Sequence, residues 1–309
     1  MNLPYLVRLL CLCLASFFLV HLTLGLLASL AAPSAIRAAC RMEARLAARF
    51  LLALRLAPAG LASLLVAGIC APSYLWLEPD ASAEQVGWVC LAAAFLGLSI
   101  LVASVARALR TCAGSARWVR ELERGGAGPL VALTGILRHR LVISPLVMRA
   151  LSADQLAAVV RHERAHRMSH DNLKRLLMLL APGLLPFSRG FGALERAWAA
   201  AAEWAADDRA TEGNGLLALV LASALVRVAR LGTAGATPLL TTSLLADSAD
   251  LAVRVDRLLH PVPRREAPGS PSPILKFAAS ITVAAGLASV MLQPATLYSA
   301  HELLEELIR

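Results

Sequence analysis

The sequence predicts a mainly α-helical membrane protein with four transmembrane helices and a cytoplasmic α+β domain between the third and the fourth. Of the 309 residues, 58% are hydrophobic and only 17% are charged, a composition that excludes an ordinary soluble enzyme. Four stretches without Asp, Glu, Lys or Arg are long enough to cross the hydrocarbon core of a bilayer. They lie at residues 9–31, 56–77, 86–106 and 277–298. The lipid bilayer is therefore the first partner that the sequence predicts.

The first stretch also fits a signal peptide, with Arg8 in the charged region and a small-residue site near Ala35. Its apolar run is longer than the core of a normal signal peptide, which favours a transmembrane helix. Arg55 lies at the start of the second stretch, where we expect its long side chain to extend to the lipid headgroups.

Charge asymmetry predicts how the helices are oriented. The net charge is +9, and arginines are concentrated after the first and third stretches, as the positive-inside rule predicts for cytoplasmic segments. The loop between the second and third stretches carries Glu78, Asp80 and Glu84 and is expected on the outer side. We therefore expect a multi-pass protein of a bacterial inner or plasma membrane. Because orientation explains the arginines, no direct binding of nucleic acid is expected.

Composition also predicts the domain boundaries. Residues 1–108 are expected to form a three-span membrane region, and residues 109–260 a cytoplasmic domain. A proline-rich linker at 261–273 leads into the final transmembrane helix at 274–298. The last residues, 299–309, are expected to form a short extracytoplasmic tail.

The cytoplasmic domain is predicted to contain short strands followed by helices. Apolar, β-branched runs at 130–133 and 140–144 predict two strands. Ser152 followed by Gln155 predicts a capping box that starts a helix. The apolar run at 176–187 is expected to dip into the bilayer or to line the core, because it is too short to cross twice. Further helices are predicted at 193–210, 216–231 and 251–259.

His162, Glu163 and His166 form an H-E-x-x-H pattern inside the helix that begins after Ser152. On a helix, histidines four residues apart lie on one face, so both imidazoles can bind one zinc ion while the adjacent glutamate holds a water molecule. This arrangement is the core of a zinc hydrolase in which Glu163 acts as the general base. The alternative is a solvated helix face with two ordinary histidines.

A zinc ion held by two histidines needs a third protein ligand and one open position. Glu203 is the favoured candidate, because it lies in an alanine-rich predicted helix with Asp207 one turn later on the same face. Asp207 could accept the second ring N–H of a ligating histidine and fix its tautomer. The alternative is a pair of surface acids on an amphipathic helix. Other candidates for the third ligand are Glu195, Asp208 and His170.

Two further sets of residues leave alternatives open. Cys70 and Cys90 lie toward the outer ends of adjacent predicted spans, so they could form a disulfide or serve as small apolar filler residues. His21 lies at mid-depth in the first span, where a histidine is either functional or bonded to a neighbouring helix.

The sequence resembles the BlaR/MecR-type antirepressor zinc metallopeptidases of membranes along nearly its whole length. The resemblance rests on three spans, the Ile143-Ser144-Pro145 strand end, the H-E-x-x-H helix, Asp171-Asn172-Leu173, and Glu203 with Asp207. HtpX and the CAAX prenyl protease share H-E-x-x-H and E-x-x-x-D, but they usually place membrane spans between these motifs. Only 36 residues separate His166 from Glu203 here, which leaves no room for such spans.

This resemblance implies a gluzincin-like metallopeptidase domain on the cytoplasmic face that binds one Zn²⁺ ion. The implied zinc ligands are His162, His166 and Glu203, with Glu163 as general base and Asp207 as a supporting carboxylate. The strand that ends at Ile143 and Ser144 would align a substrate peptide by β-pairing. A second donor to the oxyanion could be His170 or Arg209, although a charged helix surface explains both residues equally well.

The implied activity is site-specific cleavage of a cytoplasmic transcriptional repressor, such as a winged-helix protein, or of the chain itself. We expect the chain to lack the C-terminal penicillin-binding sensor domain of the sensor members. One alternative is an HtpX-like quality-control protease for membrane proteins, and another is a non-catalytic membrane scaffold. Glu163 argues against the scaffold, because a structural zinc site needs no base.

Overall fold

A computed structural model describes most of the chain, including all of the H-E-x-x-H region. The described residues are 4–77, 86–123, 131–136, 140–183, 189–231, 242–243, 248–260, 289, 291 and 293–308. Predictions for residues 261–273 and for most of 277–298 therefore lie outside the described residues.

Three long apolar helices form a membrane bundle, which confirms the prediction of a mainly α-helical membrane protein. The first, α1, spans Tyr5–Ala39, and α4 spans Trp88–Glu123. Between them, α2 (Ala44–Leu65) continues through a π-helical turn into α3 (Ala71–Leu77) as one 34-residue apolar helix. All three are long and apolar enough to cross a membrane. Their outward-facing side chains are mostly apolar, as contact with lipid tails requires.

The centre of the bundle is α1, which packs against both α2 and α4. Near its start, Leu12 and Ala15 are fully buried with Cys90 of α4. Gly97 of α4 lies so close to α1 that a Cβ atom there would be 2.5 Å from the carbonyl oxygen of Leu14. This crossing therefore depends on the missing side chain of Gly97.

The last described helix, α11 (Pro294–Ile308), packs on one end of the bundle. The hydroxyl of Ser73 donates a hydrogen bond to the carbonyl oxygen of Leu297 at 2.9 Å, and Leu304 is buried in the same cluster as Tyr74. The predicted tail at 299–309 is thus helical up to Ile308 and continuous with residues 294–298. It lies at the end where α1 and α4 begin, which is the predicted outer end.

A small antiparallel sheet follows the bundle. Its strands are β1 (Val131–Thr134), β2 (Arg140–Ile143) and β3 (Thr242–Ser243), in the order β2-β1-β3. The first two match the predicted strands within one residue at each end, and they pair with Val131 opposite Ile143. The two-residue β3 was not predicted, because so short a strand has no periodic pattern to recognise.

Helices make up the rest of this region. A single turn, α5 (Pro145–Ala150), leads into α6 (Ala153–Ser169) and α7 (Asp171–Leu180). Next come α8 (Arg189–Thr211), α9 (Gly215–Arg230) and α10 (Ser248–Leu259). The capping box predicted at Ser152 is present, with Ser152 accepting from the backbone of Gln155 and the Gln155 side chain accepting in return.

The apolar run at 176–187 does not cross the membrane in its described part. It forms the end of α7, which packs against α4 and α2, and Met178 is buried with residues of the bundle. The next helix, α8, also lies against the bundle, with Leu194 and Trp198 packed on Ala32 and Leu51. Helices α7 and α8 are therefore packed directly on the membrane helices.

Three predictions about individual membrane residues can now be compared with the structure. Arg55 does not extend to the headgroups: it is 2% exposed and bonded to residues of α7 and α8. His21 is fully buried, with its ring stacked on Phe17 at 5.6 Å. Cys70 and Cys90 are both buried free thiols, so no bridge joins them in this structure.

Candidate metal centre

The two histidines of the motif lie on one buried face of α6. His162 is fully buried and His166 is 1% exposed, and their Nε2 atoms are 3.1 Å apart. Glu203, two-thirds of the way along α8, faces both rings: its Oε2 lies 3.5 Å from Nε2 of His162, and its Oε1 lies 3.5 Å from Nε2 of His166. The packing of α8 across α6 thus brings the favoured third candidate to the histidine pair.

The spacing of these atoms fits a single metal ion. Ligand atoms about 2.0–2.1 Å from a tetrahedral zinc ion lie about 3.3–3.4 Å from one another. The two Nε2 atoms are 3.1 Å apart, and each lies 3.5 Å from a different oxygen of Glu203, so all three distances are close to that value. His162, His166 and Glu203 are the group within the described residues that could hold a metal ion. The same spacing suits other divalent ions that bind imidazole and carboxylate.

A carboxylate lies beside the second nitrogen of each ring. Nδ1 of His162 lies 2.9 Å from Oδ1 of Asp207, and Nδ1 of His166 is hydrogen-bonded to Oδ2 of Asp171 at 2.7 Å. Because a carboxylate at Nδ1 retains the proton there, Nε2 of each ring is left as the coordinating atom. Lys174 in turn holds the other oxygen of Asp171 at 2.8 Å.

The electrostatics of the site favour a positive charge at its centre. Burial lowers the pKa of His166, but Glu203 and Asp171 outweigh it and raise that pKa to about 10. Burial also raises the pKa of Glu203, yet His166 and Arg254 hold it well below its usual range. The protein therefore keeps Glu203 as a carboxylate, and the negative charges of Glu203 and Asp171 favour a positive charge at His166.

Glu163 is placed as a base should be, beside the ligands but not bonded to them. It is 1% exposed, and neither carboxylate oxygen has a hydrogen-bond partner among the described residues. Burial raises the pKa of Glu163 to about 7, with the two histidines opposing the shift. A carboxyl group with this pKa can both accept and release a proton near neutral pH.

Arg254 of α10 is a site residue that the sequence reading missed. It forms two hydrogen bonds to Asp207, from Nε to Oδ2 at 2.9 Å and from Nη2 to Oδ1 at 2.7 Å. Its Nη1 also lies 3.2 Å from Oε2 of Glu203. An arginine in a predicted amphipathic helix is expected to face solvent, yet Arg254 is 4% exposed and lies on the same face as Leu251, Val255 and Leu258.

The competing candidates lie elsewhere. Glu195 pairs with Arg55, and Asp208 pairs with Arg257 near the surface at 2.8 Å. His170 ends α6 in a left-handed conformation, with φ of 57°, and is exposed. Arg209 is exposed on the outer side of α8. The structure brings neither His170 nor Arg209 into the group formed by His162, His166 and Glu203.

Ile143 and Ser144 lie at the end of β2, an outer strand of the sheet among the described strands. Ser144 also has a local role, since its hydroxyl accepts the backbone N–H of Val147 and caps α5. The sheet is tied to the metal centre through Asn172, whose side chain donates to the carbonyl oxygens of Leu133 and Gly135. Alignment of a substrate peptide by β2 stays a prediction.

Comparison of the chain with known protein families, curated proteins and solved structures yields no match. The class that the fold and the site define is therefore a mainly α-helical membrane protein with a buried His-His-Glu group able to hold a metal ion.

We expect Asp171→Ala to weaken binding of Zn²⁺ about 10- to 100-fold, the usual loss when the partner of a ligating histidine is removed. The measurement is competition with a chromophoric chelator, using the purified full-length protein in detergent. Asp208→Ala is the matched control, because Asp208 follows Asp207 directly on α8 but pairs with Arg257. Equal losses in both variants would contradict the role of Asp171.

Proposed function

We propose that this protein is an integral-membrane zinc metalloendopeptidase. The observation that carries the proposal is the buried triangle of His162, His166 and Glu203 with Glu163 beside it and unbonded. A metal site with a purely structural role normally has four protein ligands and needs no adjacent base. A set of three ligands with a neighbouring glutamate is instead typical of hydrolytic zinc sites.

Zinc bound at this site would polarise a peptide carbonyl and acidify a water molecule. The chain supplies the proton transfers. The Glu163 carboxylate takes a proton from the attacking water and passes it to the nitrogen of the leaving amine. Asp207 and Asp171 keep the Nδ1 protons of His162 and His166 in place throughout, so that the coordinating nitrogens stay free.

The proposed location is a bacterial inner or plasma membrane with the metal centre on the cytoplasmic side. Two observations support this orientation. Arginines follow the predicted inner ends of the spans, where α8 packs on the bundle. The helix α11 lies at the opposite end of the bundle, in one cluster with Tyr74 and Val86, and the sequence between those two residues is the acidic one that is expected outside.

The proposed substrate is a cytoplasmic transcriptional repressor, such as a winged-helix protein, or the chain itself. This part of the proposal rests on the sequence resemblance to BlaR/MecR-type peptidases. An HtpX-like protease with many membrane-protein substrates would use the same metal centre, and a non-catalytic scaffold would bind the metal without cleaving.

Reconstitution of the purified chain in liposomes tests the proposal. We expect one Zn²⁺ per chain, cleavage of an unstructured test protein, loss of cleavage after chelation, and its return when Zn²⁺ is added. A proteome-wide search for new N-termini then separates one repressor target from many membrane targets. One bound Zn²⁺ without cleavage of any protein, the chain included, would contradict the peptidase and favour the scaffold.

A further inference from the structure

Arg55 is a charged residue buried inside a membrane-spanning helix, and its hydrogen-bond partners among the described residues come from outside the bundle. Its Nε donates to Oε1 of Glu195 on α8 at 2.7 Å, and its guanidinium lies 4.4 Å from the centre of the Phe191 ring. Its Nη2 donates to the carbonyl oxygens of Met178 and Ala181 at 3.1 and 3.3 Å. A buried charge within a span is costly and usually marks a function.

The carbonyl partners of Arg55 lie at the C-terminal end of α7, where orphan carbonyls and the helix dipole both favour a cation. A second arginine from the bundle, Arg107 of α4, donates to the carbonyl oxygen of Leu179 at 3.2 Å. The other end of α7 holds the metal centre, since Asp171 is its first residue and contacts His166 at 2.7 Å. This ten-residue helix is about 15 Å long. Its C-terminal end contacts arginines of α2 and α4, and its first residue contacts the candidate ligand His166.

Glu195, which pairs with Arg55, lies on the same helix as the candidate ligand Glu203. Glu195 lies on α8, eight residues before Glu203, a distance of about 12 Å along the same helix. Helix α8 also packs closely on the bundle near its start: a Cβ atom on Gly190 would overlap Oγ of Ser29 in α1. One arginine of α2 thus contacts both α7, which orients His166, and α8, which carries Glu203.

We propose that Arg55 is a positioning residue that couples the membrane bundle to the metal centre. A shift of α2 relative to its neighbours moves the end of α7 and the start of α8 relative to α6, which carries His166, and so changes the distance between His166 and Glu203. The local environment supports this role over simple packing, because the guanidinium spans both helices with directional bonds. The inference rests on the metal centre of the proposed function, and it holds whether or not the site cleaves peptides.

The test measures metal binding to the full-length protein in lipid nanodiscs, with Co²⁺ as a spectroscopic probe and Zn²⁺ for affinity. We expect Arg55→Gln to weaken Zn²⁺ binding about tenfold or more, as other changes in the groups that orient ligands do. The visible absorption of bound Co²⁺ should also change in intensity, because the geometry of His166 and Glu203 changes. Arg55→Lys retains the positive charge but lacks the planar guanidinium group. It should therefore restore part of the Zn²⁺ affinity and part of the Co²⁺ absorption.

Arg49→Gln is the matched control, because Arg49 lies on the same helix and is exposed. It should leave affinity and spectrum unchanged. Should Arg55→Gln fail to fold, Glu195→Gln decides the question, since it removes only the ion pair with α8 and should still alter the Co²⁺ spectrum. An unchanged spectrum and unchanged affinity in Arg55→Gln, or in Glu195→Gln where the first cannot be purified, would overturn the coupling.

These readouts separate this inference from the peptidase proposal. If the wild-type chain never cleaves a protein but Arg55→Gln weakens Zn²⁺ binding, the coupling is supported and the peptidase is contradicted. If the wild-type chain cleaves and Arg55→Gln leaves cleavage and Zn²⁺ affinity unchanged, the peptidase is supported and the coupling is contradicted.

Discussion

Replacing Glu163 with glutamine is expected to lower peptide cleavage about 10²- to 10⁴-fold, the usual contribution of a positioned general base. Zn²⁺ should remain bound, because Glu163 is not one of the three residues whose ligand atoms converge. Glutamine has the same shape but cannot take a proton from water. The measurement is the rate of cleavage of the test protein by the reconstituted chain, with the zinc content determined in parallel.

Glu212→Gln is the control for this substitution, since Glu212 is exposed just after α8 and should have no effect on cleavage or zinc content. Full cleavage by zinc-loaded Glu163→Gln would show that another group moves the proton. Loss of zinc from that variant would place Glu163 among the ligands.

Replacing Arg254 with glutamine is expected to destabilise the metal-free protein by about 3–5 kcal/mol, the usual result of breaking a buried ion pair on one side. The carboxylates of Asp207 and Glu203 would remain buried, 1% and 6% exposed, without the guanidinium that faces both of them. The measurement is denaturant-induced unfolding of the whole chain in micelles after chelation. Added Zn²⁺ should recover part of the loss, because a metal ion also compensates the charge of Glu203.

Arg257→Gln is the matched control on the same helix. Arg257 forms an equally short pair with Asp208 at 2.8 Å, but both side chains are about 30% exposed (32% and 29%). Its loss should cost at most about 1 kcal/mol, as for other surface ion pairs. Equal destabilisation by both substitutions would contradict the central role of Arg254.

Local sequence patterns predicted much of the metal centre because its main elements are local. The spacing of His162 and His166 is a property of one helix turn, and the capping box at Ser152 set the start of that helix. Glu203 and Asp207 could be selected as candidates because the alanine-rich sequence around them predicts a helix, on which the two side chains share a face. The three long helices were recognised from length and apolarity alone.

Arg254 and Arg55 were missed because their partners are distant in the chain. Arg254 contacts Asp207 across 47 residues, and its one local signal was a charge on the apolar face of α10. Arg55 contacts Glu195 across 140 residues. Its expected reach to the headgroups assumed a span that begins at residue 56, whereas α2 begins at Ala44 and places Arg55 well inside the helix. Only the packing of α7 and α8 on the bundle reveals its partners.

The burial of the metal centre has a consequence for how such a protein would behave at rest. His162 is fully buried, and His166 and Glu203 are 1% and 6% exposed, so the described part of the chain leaves an extended polypeptide no direct path to these three residues. In this conformation the proposed peptidase would be inactive. Its activity would be set by how often the helices around the centre separate, and a small chelator would gain entry far sooner than any protein substrate.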